Sequence, residues 1–267
     1  MLEFLKLFAI TLFFPILPMV LCGLIVGLSE RLFSRLTGKF GHGVVMATSI
    51  IGTPIHELGH AMMCFPFGHK IKKMCLWNPK ATNGVLGYVN HAYNKKNIWH
   101  RLGCLFISIG PIILGLCAVT LTMLLCFPDT LSNYYSSSLS VDRSLGGIFE
   151  MLWECVKIIP SAITDASSPV WARIIGCAVI LCVCMHISLS PADIKNSLGA
   201  LPIYSLICLV LSLIIFFIGG DVSAVFSEAL VSWCFIGFAL YMVVFAGVLV
   251  MLAIGLMCYV IGKIFGK

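Results

Sequence analysis

Charged side chains are scarce in this sequence. Asp, Glu, Lys and Arg make up 10% of its 267 residues, and only 11 residues are acidic. With 60% hydrophobic residues and a mean hydropathy of +1.05, that scarcity excludes a soluble globular domain. No internal repeat and no separate polar domain interrupt the pattern. The 13 cysteines contain no C-x-x-C pair, and most fall in apolar stretches, where a free thiol acts as a small apolar residue rather than half of a disulfide. The net charge of +6 needs no nucleic acid to explain it, because multi-pass membrane proteins collect Lys and Arg on one side.

What is present in quantity is apolar length. Crossing a hydrocarbon core takes ~20 apolar residues, and stretches of that size lie near 7–28, 43–66, 102–127, 170–189, 201–219 and 229–261. The fold expected is an all-α polytopic membrane protein with about six transmembrane helices. The first stretch is too long for a signal-peptide core and has no small-residue cleavage site after it; Leu21 before Cys22 also argues against a lipobox. It reads as retained.

With the N-terminus in the cytoplasm, Lys6, the connections after the second and fourth segments, and the C-terminus hold eleven of the 17 basic residues. In the connection after the second segment, Lys70–Trp77 and Val85–Tyr93 flank Asn78-Pro79-Lys80-Ala81-Thr82-Asn83-Gly84, a pattern expected for a β-hairpin. The polar connection 128–169 turns amphipathic over 145–163, as an interfacial helix on the outer face would. Three parts result: 1–42 with the first helix, a core over 43–200 containing the hairpin (about 68–100) and the outer-face loop (128–169), and two C-terminal helices over 201–267.

The core carries Thr53-Pro54-Ile55-His56-Glu57-Leu58-Gly59-His60 inside its first apolar helix. Histidines four apart share one helix face, since the helix repeats every ~3.6 residues. Both imidazoles can reach one metal ion, with Glu57 beside it to take a proton from water. Ionisable groups are costly in a membrane helix unless they pair, bind metal or line a wet cavity, which sharpens the signal.

A catalytic zinc takes three protein ligands. The metzincin extension fails, because Met63 and Pro66 occupy the positions of its glycine and third histidine; no Glu follows Glu57 before Glu150. The fourth segment runs parallel to the second, so its C-terminal end reaches the same side. There Asp193 is the leading third ligand, although Ser190-Pro191-Ala192-Asp193 also reads as a helix cap. His186 is the alternative, and His69 and His91 beside the hairpin come third. His42 and His100 read as interfacial. Asn83 and Asn196 can donate to a substrate backbone but equally suit turns. Gly103, Gly110, Pro111 and Gly115 make the third segment a packing helix.

These residues resemble the site-2 protease family of intramembrane zinc metalloproteases. The likeness rests on His56-Glu57-Leu58-Gly59-His60 in a membrane helix, an Asp two helices later, the hairpin-like insert and Gly110-Pro111. It covers roughly residues 43–200. It implies Zn2+ on His56, His60 and Asp193, Glu57 as the group that activates water, and a transmembrane or membrane-associated protein as substrate. The site would lie towards the cytoplasm of a bacterial membrane. Lys70 to Tyr93 would hold substrate as an added strand. The sequence departs from the family in lacking a Gly after the distal Asp, where Ile194 stands, and in lacking a PDZ or CBS domain. The alternative is a non-proteolytic membrane zinc-binding protein, a pseudoprotease or assembly factor that tolerates loss of Glu57.

Overall fold

The computed structural model describes residues 1–80, 85–142 and 145–264. The chain is a helical membrane protein with one small sheet. Among the described residues four helices are long and apolar enough to cross a membrane: α2 (Leu17–Cys64), α3 (Ile98–Cys126), α8 (Leu201–Ile218) and α9 (Gly220–Ile264). α6 (Val170–Cys184) is apolar but has only 15 residues. The remaining helices are α1 (Leu2–Phe13), α4 (Pro128–Ser140), α5 (Leu145–Thr164) and α7 (Pro191–Leu198).

The first two apolar segments are joined by a kink instead of a loop: α2 is two helical legs that meet at Gly38. The stretch 7–28 is divided, because α1 ends at Phe13 and α2 starts at Leu17 with Pro18 in its first turn. Proline lacks the amide hydrogen that a continuing helix needs, and Pro15 lies in the break. α2 then runs through the charged stretch expected to be a connection. Its single non-helical residue is Gly38, at φ 55° and ψ −129°, a conformation open chiefly to glycine. Both legs of α2 meet the chain after α6. The Leu189 amide donates to the Gly23 carbonyl at 3.3 Å, and Thr48 Oγ1 lies 3.1 Å from His186 Nε2.

The hairpin is present as β1 (Lys70–Cys75) paired antiparallel with β2 (Tyr88–Ala92), with an irregularity between Ile71 and Lys73. Its turn at Asn83-Gly84 lies outside the described residues. Trp77 anchors the hairpin to α2 by donating from Nε1 to Ser49 Oγ at 2.9 Å. At its far end Asn97 caps α3, accepting from the Trp99 and His100 amides. The connection 128–169 is largely helical: the Ser/Tyr-rich stretch lies in α4, and α5 covers the amphipathic run. Tyr134 of α4 donates to the Ala239 carbonyl of α9 at 2.8 Å, fixing these helices over a core that includes Met123, Phe127, Met151 and Met242. All 13 cysteines are free thiols.

α2 and α3 cross at backbone contact. A Cβ on Gly59 would lie 2.6 Å from the Pro111 backbone, and one on Gly110 would lie 2.4 Å from the Gly59 carbonyl oxygen. Small residues allow this approach. It sets α3 directly against the helix that carries the histidine pair.

Candidate metal centre

His56 and His60 leave α2 on one face, as the four-residue spacing requires, with ring centroids 4.9 Å apart. Each ring is held from behind. His56 Nδ1 lies 2.7 Å from the His186 carbonyl oxygen, and His60 Nδ1 lies 2.8 Å from the Ile107 carbonyl oxygen. A carbonyl only accepts, so both Nδ1 atoms carry the hydrogen and both Nε2 atoms present lone pairs. Those two Nε2 atoms stand 3.2 Å apart.

The carboxylate arrives from α7. Ser190 caps this helix, with Pro191 in its first turn and Asp193 closing the capping box. Ser190 donates from N at 2.9 Å and from Oγ at 2.6 Å to Asp193 Oδ2. The other oxygen, Oδ1, lies 3.4 Å from His60 Nε2. Ser108 of α3 donates to the Asp193 carbonyl at 2.8 Å, tying α7 to α3. The cap and the convergence on the histidines are two uses of one side chain, one on each oxygen.

One ligand atom each from His56, His60 and Asp193 lies within 4.8 Å of the others, a group that could hold a metal ion. Three acceptors facing one another repel unless a cation sits among them. The two spacings made by His60 suit one: ligands ~2.0–2.1 Å from a tetrahedral ion stand ~3.3 Å apart, and His60 Nε2 stands 3.2 Å from His56 Nε2 and 3.4 Å from Asp193 Oδ1. The orienting carbonyls of His186 and Ile107 are the outer partners that metal-bound histidines usually have.

Glu57 is buried beside the pair and lines the same cavity, about 530 Å³ in volume. The hairpin side closes over it. A Cβ on Gly87 would fall 2.7 Å from Glu57 Cγ and 3.0 Å from its Oε1, so the backbone there passes against the carboxylate. Val85, Tyr88–His91 and Asn196 also line the cavity.

The His186 ring faces Thr48, away from the pair; its backbone is what touches the site. His69 and His91 pair with each other, Nδ1 to Nδ1 at 2.9 Å, and His69 Nε2 donates to the His100 carbonyl at 2.7 Å. Burial lowers the pKa of both imidazoles. The His100 ring adds to the effect on His69, and His69 followed by His60 adds to that on His91. His100 Nδ1 accepts from the Asn94 amide at 3.2 Å, and His42 is exposed. Asn83 lies outside the described residues.

Three contributors were not read from the sequence. Two are the Ile107 and His186 carbonyls, which any residue type supplies. The third is Gly87, for which the sequence did hold a signal: an isolated glycine within a strand-like run marks a close backbone approach. No protein-family model, curated protein or solved structure matches the chain.

Proposed function

We propose that this chain is an intramembrane zinc metalloprotease of the site-2 type, cleaving a peptide bond of a membrane-protein or membrane-associated substrate. The observation that carries this reading is the meeting of two oriented imidazole lone pairs and a free carboxylate oxygen beside Glu57. His56, His60 and Asp193 would hold the zinc, which when bound polarises a carbonyl and makes water more acidic. Glu57 takes a proton from the attacking water on its carboxylate. As the C–N bond breaks and the new C–O bond is kept, it returns that proton to the leaving nitrogen. The Nδ1 hydrogen bonds to the His186 and Ile107 carbonyls keep both imidazoles from turning away.

A helical substrate must unwind first, because its peptide bonds are shielded by the helix's own hydrogen bonds. The hairpin between Lys70 and Tyr93 supplies an edge on which an extended segment can pair. In the same reading the two legs of α2, with α3, α6, α8 and α9, make six crossings. The N-terminus and the site then face the cytoplasm of a bacterial membrane.

The test joins metal content to turnover. Purified wild-type protein should carry about one zinc per chain, and His56→Ala, His60→Ala and Asp193→Ala should each lose it, while Glu57→Gln keeps zinc and loses cleavage by about a thousandfold or more. Cleavage surviving in Glu57→Gln would end the hydrolase reading and leave the non-proteolytic zinc protein in its place.

A further inference from the structure

The hairpin brings a second pair of imidazoles to the edge of the cavity, and their hydrogen bonds settle which atom each presents. The His100 carbonyl accepts from His69 Nε2 at 2.7 Å, so in the neutral ring His69 Nδ1 is a lone pair. That lone pair faces His91 Nδ1 at 2.9 Å, so His91 Nδ1 carries the hydrogen. His91 Nε2 is then the acceptor. Tyr93 stacks on the His69 ring, centroids 4.7 Å apart at 10°, and fixes its plane. On β2 the side chains alternate, so Val89 and His91 share a face. Val89 and His91 are partly buried, while Asn90 and Ala92 are exposed. His91 lines the cavity that holds Glu57, His56, His60 and Asp193.

We infer that His91 is a substrate-contacting residue, its Nε2 accepting a hydrogen bond from a backbone N–H of the segment being cleaved, and that His69 is the positioning residue that holds it in this tautomer. The inference rests on the protease reading and adds to it a contact from the hairpin side chains. Every peptide carries N–H donors whatever its sequence, so a fixed acceptor suits a site that must hold an unwound backbone. Strand pairing alone offers main-chain partners; His91 adds one from a side chain that lines the cavity. The rings beside the pair are His60 of α2, His100 of α3 and Tyr93, one residue past β2; Arg101 and Cys104 of α3 act on Tyr93. Among the described residues no carboxylate is paired with either ring, which leaves His91 neutral and accepting.

The experiment uses fluorescein-labelled casein, an unstructured protein, with the full chain in detergent. Binding is read by anisotropy in the Glu57→Gln background, where no turnover intervenes, and kcat and KM are read separately with Glu57 intact. Adding His91→Ala should weaken casein binding about five- to tenfold and raise KM by the same factor, with kcat changed less than about twofold. His69→Leu should do the same, and His69→Gln should restore binding, because an amide can both donate to the His100 carbonyl and accept from His91. Rescue by Gln and not by Leu is what a packing role would not produce. Unchanged binding in His91→Ala, a fall in kcat with KM unchanged, or no saturable casein binding by the Glu57→Gln parent would each overturn the inference. Cleavage persisting in Glu57→Gln strikes the protease reading instead, and shows in turnover rather than in the binding comparison.

Discussion

Ser190 and Asp193 are bonded in both directions: the serine amide and hydroxyl donate to one carboxylate oxygen, and the aspartate amide lies 3.2 Å from the serine hydroxyl. The oxygen left over faces His60. A helix cap therefore aims the oxygen that the proposed reading gives to the metal, and in that reading several outcomes depend on the coupling.

Ser190→Ala should act at a distance from the metal. Loss of the cap costs α7 about 1 kcal/mol, and the freed carboxylate turns more loosely. Zinc affinity should fall by about 10- to 100-fold, as for other outer-partner losses. Competition with a chromophoric chelator measures it; unchanged affinity would show that Asp193 needs no holding.

Gly87→Val should separate metal from chemistry. The three atoms nearest its Cβ belong to Glu57 and Thr53, at 2.7–3.0 Å, and none to His56 or His60, so Glu57 must shift. Zinc content should stay near wild type, and cleavage should fall by about a hundredfold, the effect of moving a reacting group by ~1 Å.

Gly59→Val should open the crossing of α2 and α3, since neither the Pro111 backbone nor the Gly110 carbonyl carbon can move aside as a side chain would. Overpacking of this kind costs roughly 1–3 kcal/mol or more. Thermal unfolding in detergent should show a drop for Gly59→Val and none of that size for Gly199→Ala, where a Cβ meets open space.

Asp165, in the connection between α5 and α6, gives a pH signature. Burial alone would raise its pKa, but hydrogen bonds from Ser167 and Thr130 outweigh burial and bring it from 3.8 down to about 2. A lowered carboxylate pKa means stability complete above the ordinary value and lost as pH falls through the lowered one. Asp165→Asn should therefore melt below wild type at pH 7, and the gap should close between about pH 4 and pH 2.

The parts legible in the sequence are those governed by local periodicity. His56 and His60 had to share a face because the helix sets their spacing, and the hairpin followed from two strand-like runs around turn residues. Asp193 came within reach because the direction of the fourth apolar segment puts its end beside the motif. Apolar length alone could not show that the first leg of α2 continues through Arg31 and Arg35 to the kink at Gly38, since a helix's hydrogen bonds do not depend on polarity. Nor could it show His186 turned inside out, with its ring on Thr48 and its carbonyl on His56. A hydrogen bond accepted by a main-chain carbonyl leaves no trace in residue type.

His60 and Asp193 are separated by 133 positions of chain, a distance with a consequence for biosynthesis. A ribosome that has delivered α2, the hairpin and α3 has delivered both imidazoles, Glu57 and the Ile107 carbonyl, but not Asp193. In the proposed reading the half-made protein is therefore inactive, because the third ligand arrives only with α7, after α2, α3 and α6 have been made.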